Sequence, residues 1–270
     1  MAVYDVEGNA FDTVYDVGGN VLIVVYDVDG NMIDEIVFAD NATITSIYTS
    51  SITYQPQGGC IDDNGNVYGC FYISGNFIKY NLSAGVETII TSPDASGSQP
   101  WGHANGMTYN PNTGYFYVAS QNDTGEVYVF DASFNLVDTL YAKNANNTVF
   151  NCWNICYDRI TQRFITMSGG VLYFFDNNFN LDNTGTYDPN DWSATRQDID
   201  TDGSYIYALS WNTNKITVFD MNGNQIKVIS CTAFVGEPES ICYDWKTGDF
   251  YIEGKDSNYV IKQAEFIESN

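Results

Sequence analysis

From about residue 55 onward the chain repeats one pattern: an apolar position, a short polar turn, and an apolar strand that usually carries aromatics. Five copies span residues 60–68, 107–117, 155–165, 199–207 and 241–251, and their anchors Cys60, Met107, Ile155, Ile199 and Ile241 lie 47, 48, 44 and 42 residues apart. Each copy predicts two strands about a turn. A third strand is predicted at 77–81, 127–131, 172–176, 216–220 and 259–263, and explicit hairpins at 129–136, 174–181 and 218–225 lead into a fourth. Four strand-sized segments in a period near 45 predict an all-β chain, a five-bladed β-propeller over residues 40–270. The last repeat runs out of sequence after its third strand, and an open sheet edge leaves backbone groups unpaired. A strand from residues 32–50 is therefore predicted to close the ring.

Residues 1–39 carry a shorter period. The phrase Val-Tyr-Asp-Val-x-Gly-Asn starts at Val3, Val14 and Val25, every 11 residues. Eight residues of strand plus three of turn predict an antiparallel β-meander over 10–17, 21–28 and 32–39, with Gly8, Gly19 and Gly30 in the turns. The stretch 21–28 is apolar on both faces and predicts a covered strand. A meander this small packs on something else, which makes residues 1–39 a candidate attachment or homo-oligomerisation segment.

Composition narrows the function classes. The formal charge is −24, from 34 acidic and 10 basic residues, which opposes binding to nucleic-acid phosphates. No run of 18 apolar residues predicts a membrane span, and the opening Met-Ala-Val-Tyr-Asp-Val has no signal-peptide pattern, so synthesis in the cytoplasm is expected. The six cysteines lack zinc-ligand spacing and are expected as buried free thiols.

Propeller loops alternate between two faces. The turns inside the five copies are ordinary turn chemistry, with only Trp245 standing out. The opposite face gathers Tyr54, Gln55 and Gln57, then Trp101, His103 and Asn105, then Asn151 and Trp153, then Trp192, Arg196 and Gln197, then Glu237 and Glu239. Trp211 and Lys255 join them from the loops between second and third strands. Flat apolar rings beside amides and charges suit a saccharide or another small polar ligand. The candidate ligand-binding set is Gln57, Trp101, His103, Asn105, Trp153, Trp192, Arg196, Trp211, Glu237 and Lys255. No nucleophile motif accompanies His103, so no catalytic residue is assigned. No cofactor is expected; Asp94, Asp188, Asp191, Asp198, Glu237 and Glu239 would be the oxygen ligands of a calcium ion on that face.

Two resemblances follow from particular residues. Gln57-Gly58, the strand pair 205–216 with Trp211, and Ser240-Ile-Cys-Tyr-Asp244 followed by Gly254-Lys255 resemble the five-bladed glutamine cyclotransferase (glutaminyl cyclase) family. The resemblance implies Gln57, Trp211 and Lys255 as substrate contacts. The family carries a Glu where Gly69 follows Tyr68 here, so the carboxylate for acid–base work is missing from that position. The N-terminal repeats resemble those of phage tail and receptor-binding proteins. Taken together these features predict a non-enzymatic recognition module of a virion tail that binds a cell-surface glycan, with residues 1–39 meeting an assembly partner. A glutaminyl-cyclase-like enzyme and a purely structural virion protein are the alternatives.

Overall fold

The computed structural model describes residues 14–15, 21–22, 25–26, 32–33, 37–71, 75–93, 101–121, 125–187, 196–210 and 212–268. The chain divides into two compact units, residues 1–39 with 266–270, and residues 40–265.

In the first unit β1 (Val14–Tyr15) pairs with β2 (Val21–Leu22), and β3 (Val25–Tyr26) pairs with β4 (Met32–Ile33). These antiparallel pairings fall within the predicted segments 10–17, 21–28 and 32–39; the residues between the paired stretches lie outside the described residues. The first repeat, at residues 3–9, lies outside the described residues.

The second unit is built from sheets whose strands follow the sequence pattern. The strands β6 (Pro56–Ile61), β7 (Asn66–Phe71), β8 (Asn76–Asn81) and β9 (Val86–Thr91) form one four-stranded antiparallel sheet in chain order. A second contains β10 (Ala104–Asn110), β11 (Tyr115–Ser120), β12 (Glu126–Phe130) and β13 (Leu136–Tyr141). A third contains β14 (Cys156–Asp158), β15 (Arg163–Ser168), β16 (Val171–Phe175) and β17 (Leu181–Thr186). The remaining strands are β5 (Val37–Thr49), β18 (Arg196–Thr201), β19 (Tyr205–Ser210), β20 (Lys215–Asp220), β21 (Gln225–Ser230), β22 (Glu237–Tyr243), β23 (Phe250–Asp256) and β24 (Asn258–Glu268). They form one eight-stranded sheet in the order β18-β19-β20-β21-β5-β24-β23-β22. Its two four-stranded halves meet where β21 and β5 run parallel, with Ser230 opposite Asn41. The early strand β5 thus lies beside β24, where the pattern ran out of sequence. The first strands neighbour one another in a cycle, β6, β10, β14, β18, β22 and again β6.

Local chemistry explains the hairpins between third and fourth strands. Asp131, Asp176 and Asp220 each accept backbone N–H bonds from two and four residues on, and each takes the side-chain amide of Asn135, Asn180 or Asn224. The residue before that Asn has a left-handed backbone: Phe134 at φ 59°, Phe179 at 60° and Gly223 at 92°. For the two Phe this costs on the order of 1 kcal/mol, and burial of the ring between sheets offsets it. Phe134 stacks on Phe116 at 4.8 Å and Phe179 on Phe175 at 4.5 Å. All six cysteines are buried and free, and Cys60, Cys70, Cys152, Cys156 and Cys242 fill the hydrophobic layers.

Candidate functional site

Four first strands share an irregularity near their starts. The antiparallel register slips between Pro56 and Gly59, Ala104 and Gly106, Arg196 and Asp198, and Pro238 and Ser240. The residues left out of the ladder include Gln57, Asn105, Gln197 and Glu239. A bulge re-aims the side chain it leaves unpaired, and here it turns four polar groups toward one another where the first strands converge. The backbones approach closely there: a Cβ on Gly106 would lie 2.7 Å from the Asn154 Cα, so that position requires glycine.

The side chains form a bonded cluster. Gln57 Oε1 accepts from His103 Nε2 at 2.6 Å and from Gln197 Nε2 at 3.4 Å. Gln55 Nε2 donates to Glu239 Oε1 at 2.6 Å and to Glu237 Oε2 at 3.1 Å. Asn105 Nδ2 donates to the carbonyls of Trp153 at 2.8 Å and Gln197 at 3.1 Å, which pins the neighbouring strand starts. Trp153 is half-buried, and its indole N–H is buried without a hydrogen-bond partner among the described residues. Gln55, His103 and Glu237 are half-buried and Tyr54 is exposed, so the cluster borders solvent on one side.

Glu239 is the chemically distinctive member. Its side chain is only 1% exposed. Burial pushes its carboxyl up to about 8; the Gln55 amide pulls the other way and nearby Glu237 adds to the rise. Burial also lowers the His103 imidazole below its usual value, so it is neutral beside a carboxyl that is largely protonated at pH 7. A carboxyl that titrates near neutrality, surrounded by amide donors, can accept and return a proton.

A second carboxyl lies deeper. Glu253, on β23, is fully buried, accepts from Tyr259 Oη and from Ser240 Oγ (3.2 Å), and is pushed up to about 8 by burial. A Cβ on Gly59 would meet Glu253 Oε1 at 1.7 Å, and one on Gly69 would meet Oε2 at 2.5 Å. The space beside Gly69, empty of a side chain in its own strand, is filled by a carboxylate from another.

The sequence-derived ligand set is only partly assembled. Gln57, His103, Asn105, Trp153 and Glu237 come together in the cluster. Lys255 stands opposite Glu237 in the β22–β23 ladder, at the edge of the same region. Trp101 does not belong to an open rim: it is 1% exposed and packs on Phe77 and Phe130, with ring centroids 6.2 and 5.1 Å away. The large apolar ring is worth more between two sheets than at a wet edge. Trp101→Ala should lower unfolding free energy by about 3–5 kcal/mol, as a core truncation does, in urea denaturation without any ligand. Trp192 and Trp211 lie outside the described residues, and of Arg196 only the backbone in β18 is described. Of the calcium candidates, Asp94, Asp188 and Asp191 lie outside as well. Among the described residues no three His, Cys, Asp or Glu side chains converge to hold a metal ion. Glu239 and Gln197 belong to that face but not to the sequence-derived ligand set; the signal for them is a polar residue two or three positions before four of the five anchors, at Gln57, Asn105, Gln197 and Glu239.

The chain matches no protein-family model and no curated protein sequence. Solved structures are similar in fold. Glutaminyl cyclase of Myxococcus xanthus superposes with a TM-score of 0.63 at 14% identity, over 86% of this chain and 100% of that one. A luciferin-regenerating enzyme gives 0.53 at 9% identity, over 83% and 95%. A streptogramin B lyase gives 0.52 at 10% identity, over 84% and 98%. These likenesses define an all-β protein of the β-propeller type, with four-stranded antiparallel sheets as its blades.

Proposed function

We propose that residues 40–265 form a five-bladed propeller whose eight-stranded sheet is two blades joined by β5, and that the cluster around Glu239 is an acid–base site for a small amide-bearing substrate. The reaction to expect first is cyclisation of an N-terminal glutaminyl residue. The observation that carries this reading is a buried carboxyl titrating near neutrality among converging amides. The cyclase likeness in fold and the Gln57 and Lys255 resemblance agree with it.

The chemistry balances with one carboxyl. The substrate's neutral α-amine attacks its own side-chain carbonyl carbon, forming the ring C–N bond. Glu239 as carboxylate takes the proton the amine loses and returns it to the departing amide nitrogen, and ammonia leaves as the old C–N bond breaks. The N–H groups of His103 and Gln197, which meet at Gln57 Oε1 in the free protein, would turn to the carbonyl oxygen as it gains charge. Glu253 fills the space beside Gly69 where the resembled family carries its Glu, and is held there by Tyr259 and Ser240, beside the strand position of Glu239.

Incubation with a peptide bearing N-terminal Gln, read by mass spectrometry for loss of ammonia, tests the proposal. Glu239→Gln should reduce kcat/KM by about 10²–10⁴-fold. Absence of pyroglutamate at high enzyme concentration would rule the activity out. A second reading, non-catalytic recognition of a cell-surface saccharide by a virion protein, is favoured by the unpartnered indole N–H of Trp153, which a ligand hydroxyl would pair. Glycan-array binding that survives Glu239→Gln but not Trp153→Phe distinguishes it.

A further inference from the structure

The turns on the opposite end of the first strands build a second site. A concavity of about 280 Å³ is lined by Asp62, Asp63, Arg159, Asp244, Trp245 and Lys246. These residues come from the β6–β7, β14–β15 and β22–β23 turns, and the β18–β19 turn closes against them: a Cβ on Gly203 would lie 2.5 Å from Ile160 Cγ1 and 3.1 Å from Trp245 Cη2.

The lining is not spare turn residues. The Arg159 guanidinium lies 5.6 Å from the Trp245 ring centroid and is ion-paired with Asp63 across the turns. Tyr243 packs edge-on against Trp245 at 5.3 Å and holds the indole in place. Asp62 and Asp244 are committed to their own turns, accepting from the backbone N–H groups of Asn64 and Lys246. Lys246 is exposed and makes no ion pair among the described residues. In a chain with only 10 basic residues, two cations flank one half-buried indole.

We propose that this concavity binds a neutral pyranose ring, stacked on Trp245 and held by the Asp63–Arg159 pair and Lys246. Both charge signs line the site, so an anionic ligand meets Asp62, Asp63 and Asp244 and a cationic one meets Arg159 and Lys246. A hydroxyl both donates and accepts, and vicinal hydroxyls match a carboxylate beside a guanidinium in one plane. The apolar face of a sugar ring needs a flat partner, which the indole supplies. The volume falls below the roughly 300–1,000 Å³ of drug-sized sites, which suits one ring rather than a chain. This site stands apart from the Glu239 cluster, and its test does not depend on that reading.

The probes are glucose, galactose, mannose and N-acetylglucosamine, with choline and inorganic phosphate as charged comparators, followed by saturation-transfer NMR and tryptophan fluorescence. At least one neutral sugar should bind. Trp245→Ala should weaken it about tenfold or more, the surface change Lys246→Ala should weaken it several-fold with the fold unaltered, and Glu239→Gln at the other end should leave it unchanged. The proposal is overturned if no sugar binds, if binding is indifferent to both Trp245→Ala and Lys246→Ala, or if choline or phosphate binds in preference.

Discussion

Removal of residues 1–50 is expected to abolish cooperative unfolding of the sheet unit, or to lower its melting temperature by about 10–20 °C, on the scale of 2–4 °C per kcal/mol for a chain of this size. The reason is the place of β5. It sits between β21 and β24, so its loss opens two sheet edges at once. Its end and the segment after it are tied in along the way. Ser50 N donates to the Tyr259 carbonyl at 2.9 Å, Tyr259 N to the Ile52 carbonyl at 3.0 Å, and Asn258 Nδ2 to the Ser50 carbonyl at 2.8 Å. Tyr48 stacks on Tyr80 at 4.2 Å and its hydroxyl bonds Glu87 at 2.8 Å, reaching a different sheet. Lys227 pairs with Asp40, but Asp40 is largely exposed and Lys227 only half-buried, so that pair adds little. Each buried bond is worth about 1 kcal/mol and the ring packing more, so the sum is a large part of a typical domain's stability. Differential scanning calorimetry of the truncated chain decides it. An unchanged transition would mean that β5 is dispensable.

Stability should be greatest on the acid side of neutrality and should fall as pH rises from about 5 to 9. Glu239 and Glu253 are both raised by burial from 4.5 to about 8, and Asp200 from 3.8 to about 7. Asp198, fully buried, is raised as well. In the folded chain these groups hold protons that the unfolded chain releases above its ordinary carboxylate range. Their contribution is therefore complete below the unfolded pKa and is lost as pH climbs through the folded one. For one group the effect is on the order of several kcal/mol. Asp40, Asp131 and Asp176 are shifted the other way, but they are solvent-facing and screened. The net charge of −24 adds self-repulsion in the same direction as the buried acids. Melting temperatures across this range should drop by about 10 °C or more. Glu253→Gln keeps the shape and removes the titration, so its curve should be flatter; an equally steep fall in that variant would show that Glu253 does not carry the effect.

The strands were legible in the sequence because their turns impose strict chemistry. Asp131, Asp176 and Asp220, each followed four positions on by Asn, mark the hairpins between third and fourth strands. The missing last strand could be inferred because backbone pairing must be completed, whatever the sequence of the strand that completes it. The site was less legible for two reasons. A bulged residue such as Gln197 or Glu239 looks like any strand residue until the partner's register is known. Trp101 reads the same whether it faces water or Phe130, since only the docking of a neighbouring sheet decides. Trp245 was visible as an oddity among turns, but its pairing with Arg159 joins segments 86 residues apart and follows from the fold alone.

The position of β5 also governs the order of events during synthesis. Ser50 and Asn258 are bonded across 208 positions, so the bond can form only once every residue between them has left the ribosome. The intervening sheets can form while β5 waits, and closure across that separation carries the largest loop-closure cost. A waiting strand is a template for wrong pairing. Asp40, Asn41, Thr43, Thr45 and Ser46 all remain exposed along β5 in the finished structure. Polar side chains on both faces make an unpaired strand a poor match to other chains for the time it spends alone.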